Sequence, residues 1–304
     1  MFAFAQTRAD IEKRVASFPK NIQTTQALAT AIEEEFKNPT TQSYALYTWL
    51  AKNIRYDLKT FRKGLKPIQF SYRTQEELER KIQAQYNDLT QETLKSRKAV
   101  CEGYARTFEQ TASLLGIECA FISGLAKTSN MPIGKPEVLG RHAWNAVKLD
   151  NKWFLLDCTW GAGYTISKKW QADFNPYYCF TEPDYFIKKH YPEDKKWQLL
   201  AHPISKTIFS EFPAFGNLYY KQKLQLLSPT NGFVAAKKKK YIDIVFEKER
   251  RDIAFGYIYS RERYYTKIKP IFQNGKTILR IPAKRKRTLN ILSGNEIVLS
   301  FETK

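Results

Sequence analysis

Cysteine is scarce in this chain: four in 304 residues, at positions 101, 119, 158 and 179, with no Cys-x-x-Cys pair. That number and scatter exclude a disulfide-stapled scaffold and a thiolate zinc site. Histidine is scarcer still, with three; no metal and no cofactor is expected. No stretch reaches the roughly 18 apolar residues that a membrane-crossing helix needs. No internal repeat is visible. Acidic residues are also short, 30 Asp and Glu against 50 Lys and Arg, for a net charge of +20.

What is present is a folding composition, 43% hydrophobic and 14% aromatic, which rules out a disordered chain. The positive charge is uneven. Beyond residue 210 there are twenty basic against eight acidic side chains, including Lys237-Lys240 and the run Lys284-Arg287. Such runs attract an anionic polymer or surface, or they serve only as a solvated face whose lysines keep strand edges apart. No aromatic-interleaved nucleic-acid motif accompanies them. At the N-terminus, Ala3-Phe4-Ala5 before Gln6 has the look of the end of a signal peptide. The expectation is an exported protein, periplasmic or secreted, with the cytoplasm left open.

Helical patterning fills the first hundred residues. "TTQALATAIEEEF" spaces Leu28, Ile32 and Phe36 for one helical face, and Asn38-Pro39 ends it. "TTQSYALYTWLAKNIRYDL" starts on threonine caps and keeps Tyr44, Tyr47, Leu50 and Ile54 together. A charged helix over "TQEELERKIQAQYNDLTQETL" precedes a helix headed by Cys101. The period then changes. "ECAFISGLA", "HAWNAVKL" and "KWFLLDCTW" read as strands, the last two joined at Asp150-Asn151, residues that tolerate positive φ. Lys127 to Gly140 reads as a loop. After about Pro213, "YIDIVFE", "IAFGYIYS", "YYTKIKPIF", "TILRIP", "TLNIL" and "EIVLSFE" predict a small all-β sandwich, divided by turns at Asn274-Gly275 and Ser293-Gly294.

Cys101 stands where a helix begins, in "RKAVCEGYARTF". Free N–H groups there favour a thiolate and can receive a developing oxyanion. A cysteine alone is commonly a small buried hydrophobe, so its neighbours decide. His142 opens the strand that follows the loop. Asp157 sits in an otherwise apolar segment, where a carboxylate needs a partner. With a two-residue turn at Asp150-Asn151, Asp157 falls opposite Trp144 and diagonal to His142, about 7–8 Å away. A four-residue turn would set His142 and Asp157 face to face, and an odd loop would part them. Nucleophile, base and orienter in chain order suit acyl transfer through a thioester. The imidazole Nδ1–H is the expected donor to Asp157.

The segments "VCEGYARTF…LLGIECAFISGLA", "HAWNAVKLDNKWFLLDCTWGAGY" and "YFIKKHYPEDKKWQLL" resemble the transglutaminase-like superfamily, and most of all its kyphoscoliosis-peptidase-type branch. "YTWLAKNIRYD" is similar to that branch's helix ahead of the catalytic domain. The likeness covers about residues 40 to 205. It implies an α+β fold: a papain-like, transglutaminase-like cysteine domain with a helical N-terminal lead, followed by the small all-β sandwich. It also puts the family's nucleophile, base and acid on Cys101, His142 and Asp157. The expected division is residues 1–212 for lead and core and 213–304 for the basic β-rich part.

Trp144, Trp160 and Tyr164 are candidates for the substrate cleft, each with an ordinary packing role as the alternative. His190 and His202 read as structural, and Cys119, Cys158 and Cys179 as core thiols, with a disulfide between two of the three left open for an exported protein. The sequence names no second oxyanion donor. The functional expectation is thiol-dependent acyl transfer on a protein or peptide, with hydrolysis preferred over amine transfer. A non-enzymatic module that docks its basic C-terminal part on an anionic surface is the third reading.

Overall fold

A computed structural model describes residues 7–64, 69–128 and 131–304. The Ala3-Phe4-Ala5 segment lies outside the described residues. Three helices lead: α1 (Arg8–Ala16), α2 (Thr25–Glu35) and α3 (Pro39–Asn53). Thr24 caps α2 through the Ala27 N–H at 3.1 Å, and Leu28 and Ile32 are fully buried. Asn38-Pro39 does more than end α2. The Asn38 carboxamide caps α3 through the Thr40 N–H at 2.8 Å, with Pro39 at the first helical position, so the cap is Asn38 and not a threonine.

The expected face of Tyr44, Tyr47, Leu50 and Ile54 is buried, but so is every residue from Thr40 to Ala51. The reason is that α1, α2 and two later helices all pack on α3, which makes it a central helix rather than an amphipathic one. Its polar residues are partly absorbed by backbone, as where Gln42 Nε2 donates to the Phe36 carbonyl at 2.8 Å.

Next come β1 (Arg55–Tyr56), α4 (Leu58–Lys63), the long exposed α5 (Gln75–Ser96), β2 (Lys98–Ala99) and α6 (Cys101–Leu114). β1 and β2 pair in parallel, Tyr56 opposite Ala99. Strands β3 (Cys119–Ala126), β4 (Gly140–Leu149) and β5 (Lys152–Leu156) follow, then α7 (Cys158–Ala162), a hairpin of β6 (Gly163–Ile166) and β7 (Lys169–Ala172), and β8 (Cys179–Thr181). The sheet runs β8-β5-β4-β3. The β4–β5 turn has two residues, Asp150 and Asn151, both at positive φ, and sets Asn145 opposite Leu156. The segment "KWFLLDCTW" is not strand throughout: it leaves the sheet after Leu156 and turns into α7.

The described chain forms two compact units, one from residues 7–124, 142–186 and 192–199, the other from 125–141, 187–191 and 200–304. The second unit therefore takes residues 125–141, 187–191 and 200–212 as well as 213–304. It holds two sheets. One contains Phe255–Tyr259, Thr288–Ser293 and Glu296–Thr303, and the other Tyr241–Phe246, Ile271–Gln273 and Lys276–Pro282. Ile242, Ile244 and Phe246 alternate inward from one sheet, and Leu289 and Ile291 from the other. Phe246 stacks on Phe255 with centroids 5.5 Å apart. "YYTKIKPIF" splits at Pro270, which gives Thr266–Lys267 to one sheet and Ile271–Gln273 to the other, as a residue without an N–H requires. Within this unit Lys127 is buried, its ammonium donating to the carbonyls of Ser210 and Phe212; burial lowers its pKa to about 8. Among the described residues no helix is long and apolar enough to cross a membrane.

Candidate active site

Cys101 is the first residue of α6, half-buried. The preceding Val100 has no side-chain acceptor, so no side chain caps the first-turn N–H groups; they are left for another acceptor. The helix head is set close by its glycine. A Cβ on Gly103 would lie 2.7 Å from Thr93 Oγ1 and 2.8 Å from Ala99 Cβ, so only glycine lets α6 approach α5 and β2 this closely.

Asp157 is fully buried and caps α7. Its Oδ1 accepts from the Trp160 N–H at 3.0 Å, while Oδ2 lies 2.8 Å from His142 Nε2. Each oxygen thus has its own task, one holding a helix and the other an imidazole. The nitrogen facing the carboxylate is Nε2, not the expected Nδ1. With Nε2 on the carboxylate, any proton exchanged with the thiol passes through Nδ1, and the Cys101 side chain acts on the same imidazole. Burial works to lower the His142 pKa. The charge and hydrogen bond of Asp157, helped by the hydrogen bond and charge of Cys101, outweigh it and carry the value up to about 10.

A folded pKa above the ordinary 6.5 means that the folded chain keeps a proton that the unfolded chain releases. That stabilisation is complete below about pH 6.5, shrinks as pH rises and is gone above about pH 10. The difference in melting temperature between wild type and His142→Gln is therefore expected to narrow from pH 6.5 to 10. A difference constant over that range would contradict the assignment.

Trp160 lies beside the imidazole, ring centroids 5.3 Å apart, and is itself held edge-on by Tyr178 at 5.8 Å. Trp144 is 5.9 Å from the same ring but is buried, in a cluster with Ile122, Ala146, Leu155 and Phe186, so it packs beneath the site. Tyr164 sits on β6 opposite Gln171. No ring contact joins it to His142 among the described residues. His190 is buried and His202 exposed. Burial pushes the thiols of Cys119, Cys158 and Cys179 well above the ordinary range, and all four cysteines are free.

Sequence reasoning missed Asn145. It is buried, and its Nδ2 donates to the Ala105 carbonyl of α6 at 3.1 Å and the Ala120 carbonyl of β3 at 3.3 Å. One side chain on β4 thereby fixes the helix that carries Cys101 against the strand that carries His142. One position beyond Trp144 in a strand read as apolar, a carboxamide was the available signal. Asn145→Ala is expected to cost about 1–3 kcal/mol by leaving carbonyls unpaired, measured by denaturant unfolding. Unchanged stability would contradict the clamp.

Residues 26–158 match the family model of the transglutaminase-like superfamily, a stretch that contains Cys101, His142 and Asp157. Over that stretch the chain is similar to transglutaminase-like domains. Its fold is the α+β, papain-like arrangement, with the thiol at the head of α6, the imidazole on β4 and the carboxylate at the head of α7. The chain is 32% identical over 187 residues to human kyphoscoliosis peptidase, which covers 59% of this chain and 24% of that protein. It is 29% identical over 154 residues to the Lim and transglutaminase domain protein ltd-1 of Caenorhabditis elegans, 46% of this chain and 21% of the other. Hillarin of Drosophila melanogaster is 27% identical over 155 residues, with shares of 46% and 19%. The chain thus matches about a quarter or less of the length of these curated relatives.

Proposed function

We propose that this domain performs thiol-dependent acyl transfer at peptide or amide bonds, with water as the usual acceptor. The observation that carries the reading is the buried His142–Asp157 pair, 2.8 Å apart, with the Cys101 side chain acting on the same imidazole. In the reactive form the proton shared by Cys101 and His142 sits on the imidazole, and the sulfur attacks the amide carbonyl carbon. The oxyanion turns to the uncapped N–H groups of α6. Collapse breaks the C–N bond, His142 passes its proton to the departing amine, and a thioester to Cys101 remains. His142 then accepts a proton from water as its oxygen attacks, the C–S bond breaks, and acid and thiol are released. A lysine amine in place of water would give an isopeptide bond from the same residues.

An assay that follows new amine or ammonia release beside incorporation of a fluorescent primary amine into an unfolded protein substrate separates the two. Release without incorporation is expected. Incorporation in step with release would overturn hydrolysis in favour of transfer, and neither signal would overturn the enzyme reading.

One observation favours an added docking role for the basic part. The two basic runs, far apart in sequence, meet in the second unit: Ala283 N–H donates to the Lys240 carbonyl at 3.0 Å, and Lys237 N–H to the Lys304 carbonyl at 3.2 Å. All four of Lys237–Lys240 are exposed, as are Lys284, Arg285 and Lys286. Binding to anionic vesicles or a sulfated polysaccharide that weakens steeply with salt, and survives Cys101→Ala, would support that role. Salt-independent binding would remove it.

A further inference from the structure

On the strand next to the segment that leads into Cys101 lies a partly exposed aromatic cluster that the chemistry above does not use. Tyr56 on β1 stands opposite Ala99 on β2, two residues ahead of Cys101. Asp57 N–H donates to the Ala99 carbonyl at 2.8 Å, so the strand bearing Tyr56 is fastened to the segment that delivers the nucleophile. Burial raises the Tyr56 pKa, and the charges of Cys101 and Asp157 raise it further. Tyr56 meets Phe61 of α4 and Trp170 of β7, with centroids 5.7 Å apart in each case. Arg62 ties α4 to the same hairpin by donating to the Lys168 carbonyl at 2.5 Å.

Phe61 is 57% exposed, and Tyr56 and Trp170 are half-buried. Aromatic surface left open next to the segment that delivers the nucleophile is surface that a ligand can cover. The surroundings are basic: Arg55, Lys59, Lys63, Lys98 and Lys169 are exposed around the cluster. The carboxylate of the same stretch, Asp57, is occupied in capping α4, accepting from the N–H groups of Lys59 and Thr60 and from the Thr60 hydroxyl.

We infer that Tyr56, Phe61 and Trp170 form a specificity subsite that takes a large apolar side chain next to the reacting amide, in an acyl-donor peptide with acidic flanks. The inference rests on Cys101 being the nucleophile. Apolar shape covers the rings, and the basic rim selects the charge on either side.

The test uses the full chain and a matched set of peptidyl chloroacetamides. They carry Phe or Gly beside the reactive carbon and either acidic or basic flanking residues, with iodoacetamide as the reference that has no side chain. Alkylation of Cys101 is followed by mass spectrometry. Relative to iodoacetamide, the Phe probe is expected to react about tenfold faster than the Gly probe, the order of discrimination an apolar pocket gives. That ratio should fall to about twofold in Phe61→Ala, and in Trp170→Leu as an independent variant. Lys59→Glu with Lys63→Glu should erase the advantage of acidic over basic flanks. Probes ranked alike, while iodoacetamide still modifies Cys101, would overturn the subsite alone. A Cys101 that also resists iodoacetamide would overturn the nucleophile and the subsite with it.

Discussion

Cys101→Ala is expected to abolish amide cleavage and thioester formation while leaving the fold in place. The covalent step has no substitute: the other three thiols are held above the ordinary range by burial and are not poised to attack. The stability cost should be small, about 1 kcal/mol or less, because Cys101 is half-buried at a helix start and is absent from the main hydrophobic cluster. Residual activity that is set by water and binding alone, with an unchanged melting curve, is the expected pair of results. Wild-type turnover in this variant would remove the sulfur from the mechanism.

The second large effect falls on Asp157→Asn. Asparagine is as good a helix cap as aspartate, but it has one oxygen where two are used, one for the Trp160 N–H and one for His142 Nε2. If that oxygen stays on the cap, the carboxamide NH2 faces Nε2, and the proton moves to Nδ1, the nitrogen that must receive one from the thiol. If it turns to the imidazole, α7 loses its cap. Either way the charge that raises the His142 pKa is gone. Activity should fall by about 10²-fold or more, the order seen when an orienting carboxylate is neutralised, and the upper pH limb of activity should shift downward. Asp157→Ala loses both contacts, and about 3 kcal/mol of stability with them. An Asn variant with unaltered kcat/KM and pH profile would show that the second oxygen is idle.

Much of this site was legible in the chain because β geometry is arithmetic. The Asp150-Asn151 turn has two residues, and that number sets Asn145 opposite Leu156 and leaves the next residue, Asp157, within reach of His142. The thiol at the helix head was legible for a similar reason, since Val100 offers no cap and "CEGYARTF" carries the helical period. Other features were out of reach. Which imidazole nitrogen meets the carboxylate depends on a side-chain rotation that spacing does not encode. Asp157 as a cap could not be told from Asp157 in a strand, because "WFLLDCTW" is apolar on either reading and packing decides. The full burial of α3 was hidden by its polar residues, of which Thr41 and Gln42 donate to the Asn38 and Phe36 carbonyls instead of facing water. Gly161 marks a close approach that no local pattern encodes, since a Cβ there would lie 2.0 Å from the Tyr47 hydroxyl.

The account is tested most directly by alkylating the folded protein with iodoacetamide at pH 6 and mapping the adducts by mass spectrometry. Modification of Cys101 alone, slowed strongly in His142→Ala, is the predicted result. Equal and slow modification of all four cysteines, or a Cys101 rate indifferent to His142, would contradict the claim that the imidazole and its buried carboxylate make this sulfur reactive.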